Sequence, residues 1–237
     1  MTKGIIYYTD NRLEDQILTA VQKQILRAGL PIVSSSLKPM DFGRNIHVDL
    51  EPGVFTMLTQ ILAALEASSA DIVFFCEHDV LYHPSHFEFV PQGDLFYYNI
   101  NVWKWPYPEN RLITYDHIVS LSGLCAKRER LLEAFNARLQ IVLKNGWDKE
   151  VGREPHWARR MGYEPGTKSV RQKLIQNEFA AYWRSEYPNV DIRHNKTLTK
   201  AKCSPEDFKH PPPAESWKET TLDKISGWDI KTLFNLN

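Results

Sequence analysis

Apolar and polar positions alternate between strand and helix periods along the first third of the chain, and one stretch organises the pattern. Ile72–Cys76 is an unbroken apolar run that ends abruptly in Glu77, His78 and Asp79. It is short and rich in β-branched and aromatic residues, which predicts a strand covered on both faces. Before it, Gly4–Thr9 predicts a first strand. Ile17, Val21, Ile25 and Ala28 then recur at helical spacing and stop at Gly29, a good residue for ending a helix. Asn11 and Glu14 have the spacing of a capping box at the start of that helix. Pro31–Ser36 predicts a second strand, and a strand, helix and strand in about 35 residues imply a right-handed crossover and a parallel pair. Val54, Leu58, Ile61 and Leu65 predict a helix over 53–67 that delivers the chain to Asp71.

The later pattern is more broken. Asp94–Asn101 reads as a strand, and Trp103, Trp105 and Tyr107 then alternate with Lys104, Pro106 and Pro108 on a loop or edge strand. His117–Leu124 reads as a strand reaching the Ser122-Gly123 turn. A helix is expected over about 127–143 and another over Val170–Tyr187, closed by Pro188. Val190–His194 is expected as the last strand. Lys38–Pro52 is polar and irregular, and periodicity is lost again after about residue 203, where Trp217 and Trp228 are expected to pin a tail onto the body. The expected class is α/β, with a mostly parallel sheet.

Composition narrows the function only a little. With 237 residues, 43% of them hydrophobic and 24% charged, the chain has the profile of an ordinary globular protein, and its zero formal net charge gives no global pull toward nucleic acid or membrane. Three widely spaced cysteines read as reduced thiols. No apolar run has the length of a signal peptide or membrane span, so a cytoplasmic protein without a membrane span is expected. Neither GxGxxG nor GxxxxGK[ST] occurs, which argues against a dinucleotide dehydrogenase and a P-loop enzyme.

The chemistry gathers at the predicted strand ends. Glu77 and Asp79 are two apart, so on a strand they share a face. Carboxylates facing one spot repel unless a cation lies between them, and oxygen ligands suit magnesium or manganese. The carboxyl edge of an open α/β sheet is where ligands bind. At the first turn, Tyr8, Thr9 and Asp10 either hold a nucleotide base or serve as core and helix cap. Trp103 and Trp105 either stack on a sugar or base or belong to the core.

The order of a parallel α/β half, an acidic motif after a mid-chain strand and a mixed second half resembles the GT-A type of nucleotide-sugar glycosyltransferase. Glu77-His78-Asp79 looks like that superfamily's DxD-type motif in its ExD form. The resemblance implies a Rossmann-like, mixed but mostly parallel central sheet with helices on both faces. It implies a single catalytic domain over 1–203, with a donor half over about 1–100, an acceptor half over 101–203 and a tail over 204–237. It also implies a divalent cation, Mn2+ or Mg2+, held by Glu77, Asp79 and a late histidine, His194. Lys196 and Lys200 would then face the diphosphate of a UDP-sugar or similar donor, with Tyr8, Thr9, Asp10 and Arg44 toward the nucleotide. Ser122 and Gly123 resemble the small-residue turn beside the donor sugar, with Trp103 and Trp105 toward the acceptor. Glu154 and Asp148 are the candidate bases, with Glu164 a competitor. The acceptor would be a hydroxyl of a glycan, a small molecule or a modified base in DNA. The last would use Arg111, Lys127, Arg128, Arg130, Arg153, Arg159 and Arg160 along the phosphates.

Three other readings use the same residues. A nucleotidyltransferase shares such a sheet and metal, but it would open with a Gly-rich basic loop where this chain has Tyr-Tyr-Thr-Asp. A non-catalytic carbohydrate or nucleic-acid binding module would use the aromatic run at Trp103. A metal hydrolase would use Glu77, His78, Asp79 and His83.

Overall fold

The computed structural model of the chain describes residues 1–116, 118–145, 164–167, 179–195, 202–208 and 215–236. The elements are β1 (Lys3–Thr9), α1 (Asp15–Leu26), β2 (Ile32–Ser36), β3 (Arg44–His47), α2 (Val54–Ala67), β4 (Ile72–Glu77) and β5 (Val80–Leu81). They continue with β6 (Phe96–Asn99), β7 (Val102–Pro106), β8 (Leu112–Thr114), β9 (Leu124–Lys127), α3 (Arg128–Asn145), β10 (Ala180–Trp183), β11 (Asn189–Arg193), β12 (Lys218–Thr220) and α4 (Ile230–Leu233).

Seven of these strands form the central sheet in the order β10-β6-β9-β4-β1-β2-β3. Strand β9 runs antiparallel to β4 and β6, and every other described pairing in this sheet is parallel. Alternation along β1 and β4 divides the core. Ile6, Tyr8, Val73 and Phe75 pack with α2 and α3 on one face, whereas Ile5, Tyr7, Phe74 and Cys76 pack with α1 on the other. Phe74 and Phe75 are both fully buried, as a strand covered on both faces requires. A mixed, mostly parallel sheet with helices on both faces is the architecture that the GT-A resemblance implied.

A second sheet, β12-β8-β7-β11-β5, lies on the α1 side of the core. It was not foreseen. Three segments leave the central sheet for it: β4 continues into β5, β6 into β7, and β10 into β11. Residues 218–220 supply its edge strand, and Leu222, Ile225, Ile230 and Phe234 of the final segment are buried in the same core.

Several expectations are corrected. The polar segment 38–52 contains a strand, β3, which Gly43 admits by taking φ 65°; a Cβ there would meet the Ile32 carbonyl oxygen at 2.6 Å. The strand expected at 117–124 begins only at Leu124. The Ser122-Gly123 turn precedes the strand instead of closing it, because Leu121–Gly123 forms a 3-10 turn. The helix expected over 170–187 contains a strand at 180–183, paired in parallel with β6; residues 170–178 lie outside the described residues. Asn11 does not cap α1. It takes φ 58°, and its Oδ1 accepts hydrogen bonds from Leu37 N and Lys38 N at 2.7 and 2.9 Å, tying the first turn to the end of β2.

Candidate metal centre

Strands β1 and β4 are adjacent and parallel, with Tyr8 opposite Glu77. Their carboxyl ends therefore set Thr9 and Asp10 beside His78 and Asp79. The third contribution comes from far along the chain. Strand β11 pairs antiparallel with β5, Asp191 against Val80, and Ile192 N donates to Asp79 O at 2.8 Å. This pairing brings Arg193 and His194 to the same edge.

Among the described residues, one group of three metal-ligating side chains converges: His78, Asp79 and His194 each offer an atom within 4.8 Å of the others. His194 Nε2 lies 3.5 Å from Asp79 Oδ2. A common ion at about 2.0–2.2 Å would set neighbouring ligand atoms roughly 3.0–3.5 Å apart, so this pair already has the spacing. Two imidazoles and a carboxylate are a chemically sound donor set for a divalent ion. The side chains of Asp79 and His194 are 14% and 5% exposed, so an ion there would be largely shielded from solvent.

The two acids of the motif are treated differently. Glu77 lies on the α2 side of the sheet, and Tyr8 Oη donates to its Oε1 at 2.6 Å. Its backbone N–H donates to the buried Tyr82 hydroxyl at 2.9 Å. Burial, then the charge of Asp79, pushes Glu77 up to about 8, against the pull of the Tyr8 hydrogen bond. Burial also pushes Asp79 upward, but the contact with His194 and the charges of His78 and Arg193 outweigh it and hold this carboxyl below its usual range. One acid is thus favoured neutral and the other ionised. Asp191 and Arg193 extend the network. Arg193 Nη1 lies 3.3 Å from each Asp191 oxygen, and burial is the main force pushing Asp191 upward.

The expected nucleotide residues are mostly engaged within the protein. Tyr8 is 7% exposed, with its hydroxyl on Glu77. Thr9 is 2% exposed; its hydroxyl lies 2.6 Å from His78 Nδ1, and its carbonyl accepts from Gln60 of α2 at 2.8 Å. Asp10 stands at the rim, paired with Arg12 at 2.6 Å and 3.9 Å from His78 Nδ1. Arg44 lies at the start of β3, three residues short of the sheet's carboxyl edge, and its guanidinium donates to the Ala67 carbonyl at the end of α2. That placement takes it away from the site.

The expected sugar-facing residues are also revised. Trp105 is fully buried, its indole N–H donates to Glu109 O at 2.7 Å, and its ring meets Tyr107 and Phe234 edge-on. Trp103, two residues before it on the interior strand β7, shares its face and packs against the same core while partly exposed. The aromatic alternation is that of a core strand. Ser122 and Gly123 do reach the carboxyl end of β4, because β9 is antiparallel to it. Yet Gly123 is small for a packing reason: a Cβ would meet the Asn99 carbonyl oxygen at 2.7 Å. Ser122 is buried, with its hydroxyl 2.6 Å from Ser120 Oγ. Glu154, Asp148, Lys196 and Lys200 lie outside the described residues.

Sequence reasoning missed Thr9 as the support of His78, and the pair Asp191–Arg193. The available signal was that His78 lies just past one predicted strand and His194 closes another, each ready to place an imidazole at a sheet edge.

No protein-family model matches the chain, and no curated protein matches it. Solved structures of similar arrangement include a glycosyltransferase involved in the glycosylation of the major capsid of PBCV-1 (9% identity, 84% of this chain and 95% of that chain, TM-score 0.48). Another is S. aureus TarS 1-349 in complex with UDP-GlcNAc (13% identity, 88% of this chain and 63% of that chain, TM-score 0.45). A third is 2-C-methyl-D-erythritol 4-phosphate cytidylyltransferase from Thermus thermophilus (12% identity, 63% of this chain and 80% of that chain, TM-score 0.39).

Proposed function

We propose that the chain is a metal-dependent glycosyltransferase that moves a sugar from a nucleotide-sugar donor, in the first instance a uridine diphosphate sugar, to a hydroxyl acceptor. The observation that carries this reading is the meeting of His78, Asp79 and His194 at the carboxyl edge of the central sheet, between the ends of β1 and β4. Breaking a glycosyl–phosphate bond leaves charge on the departing diphosphate; His78, Asp79 and His194 would hold a divalent ion, which would supply Lewis acidity against that charge. The chain's own residues prepare that environment. Asp79 stays ionised, Arg193 adds positive charge beside it, and Tyr8 and Tyr82 fix Glu77 at the end of β4. Glu154 or Asp148 would accept the proton of the acceptor hydroxyl, worth on the order of 10² to 10⁴ in rate. Lys196 and Lys200 would meet the diphosphate. A nucleotidyltransferase would act on a nucleoside triphosphate and needs a phosphate-cradling loop after β1. Here Thr9 and Asn11 are occupied with His78 and with the end of β2.

Calorimetric titration with nucleoside diphosphates and triphosphates, in Mn2+ and then in chelator, tests this. The expected result is metal-dependent binding of one diphosphate, lost by more than 100-fold in Asp79→Ala, with release of that diphosphate from the matching sugar nucleotide. Binding that is indifferent to both chelator and Asp79→Ala, or a clear preference for a triphosphate, would overturn it.

A further inference from the structure

We infer that the cation site is a two-histidine, one-carboxylate site in which His78 replaces Glu77 as ligand. We further infer that it selects a borderline transition ion, Co2+ or Zn2+, over Mg2+. The inference rests on the proposed reading only in taking the cluster to be a cation site; it concerns which side chains hold the ion and which ion they take.

Three observations point this way. First, the group that converges is His78, Asp79 and His194, without Glu77. Strand alternation explains the difference. Glu77 is the last residue of β4 and faces the α2 side, where Tyr8 holds it at 2.6 Å, whereas His78 begins the turn that carries the chain toward β5 and the second sheet. Second, His78 is oriented as a ligand should be. Its Nδ1 lies 2.6 Å from Thr9 Oγ1, and the same oxygen accepts from Asn11 N at 3.0 Å. In the tautomer with the proton on Nδ1, that N–H donates to Thr9 and Nε2 carries the lone pair. Metal-bound histidines are oriented in this way, by an oxygen acceptor on the second nitrogen. Thr9 is itself held, 2% exposed and anchored by Gln60 on its carbonyl. Third, the donor set decides the ion. Magnesium requires oxygen ligands in a near-ideal octahedron and keeps its waters. Imidazole suits ions such as Zn2+, and affinity for nitrogen donors rises from Mn2+, which shares magnesium's leaning toward oxygen, to Co2+. A set with two neutral imidazoles and one anion also offers Mg2+ half the charge of a paired-carboxylate site.

The test uses the full chain without nucleotide. Mg2+, Mn2+, Co2+ and Zn2+ are titrated calorimetrically, and nitrogen couplings to bound Mn2+ are read by pulsed electron spin resonance. The expected result is Co2+ bound at least 100-fold more tightly than Mg2+, with two imidazole nitrogens coupled to Mn2+. His78→Gln should remove one coupled nitrogen and weaken Co2+ by more than tenfold while shifting Mg2+ by less than threefold. Thr9→Val should weaken Co2+ about tenfold, and Glu77→Gln should change it by less than twofold. Circular dichroism on each variant separates a lost ligand from a lost fold. Mg2+ bound within tenfold of Co2+, or a loss in Glu77→Gln equal to that in His78→Gln, overturns the inference and leaves the transferase reading standing. Binding of none of the four ions overturns both.

Discussion

Two buried polar clusters lie where the chain crosses from the central sheet into the second one, and they are built on opposite plans. The first, between β4 and β5, is charged: Glu77 is pushed up, Asp79 is held down, and Asp191 and Arg193 pair beside them. The second joins the crossings β6 to β7 and β10 to β11, and it is neutral. Asn99 Nδ2 donates to His86 Nδ1 at 3.0 Å and to Ser185 Oγ at 2.8 Å, while Asn99 Oδ1 accepts from Asn101 N at 2.9 Å. Asn189 Nδ2 reaches the same imidazole nitrogen at 3.1 Å, and the ring stacks on Trp183. Neutral amides bonded to an imidazole, a hydroxyl and backbone tie two sheets together for as long as the imidazole stays uncharged, with His86 Nε2 and Asn189 Oδ1 left unpaired. Opposed acids and imidazoles are poor fasteners and good cation ligands. On the proposed reading, the first cluster is kept for chemistry and the second joins the sheets.

The largest effect that separates them is acid lability. His86 is fully buried, and desolvation lowers it from 6.5 to about 3. Because the folded value lies below the unfolded one, the unfolded chain binds a proton between these limits that the folded chain does not. Stability from this group is therefore complete above about pH 6.5 and is lost progressively as pH falls toward 3, by at most roughly 5 kcal/mol. Urea midpoints measured from pH 7.5 to 4 in wild type and His86→Gln should converge as pH falls. Parallel curves would remove His86 from the account. Next in size is Asn99→Ala. It strips one amide from several buried partners and should cost about 2–4 kcal/mol, since those partners stay buried and unpaired. Co2+ affinity should hold within twofold. A tenfold drop would show that the clusters are coupled, and the division between them would fail.

How far the sequence disclosed these two regions follows from what carries them. Strands β1 and β4 and helices α1 and α2 are longer and periodic, and with β2 they follow one another closely in sequence, so their pattern announces them, and with them the edge where Thr9, His78 and Asp79 meet. The second sheet is made of strands of two to five residues. Pairings such as Val80 with Asp191 join segments more than a hundred residues apart, and no local period reports them. His194 could be placed from the sequence only by resemblance. Trp105 carried an ambiguous signal, because alternating aromatics look alike on a core strand and on a ligand platform until burial is known. His86 gave no signal, since an isolated histidine before Phe87 acquires its meaning only from Asn99, Ser185 and Asn189. The preference for His78 over Glu77 depends on where β4 ends, a boundary that patterning leaves uncertain by a residue or two.

The smallest effect tests the boundary of the charged region. Arg44 is exposed on β3, and its guanidinium donates to a backbone carbonyl at the end of α2, away from the carboxyl edge where the cluster sits. Solvent screens its charge at that distance, and a surface hydrogen bond to a helix end contributes little. Arg44→Ala should therefore change stability by no more than about 0.5 kcal/mol and leave nucleotide affinity within twofold, measured by the same titration that tests Asp79→Ala. A tenfold loss of nucleotide affinity in Arg44→Ala would mean that the donor reaches across β2 to the sheet's outer strand. The nucleotide would then lie along that edge rather than over the ends of β1 and β4, and the site's centre would have to be redrawn around Asn45 and His47.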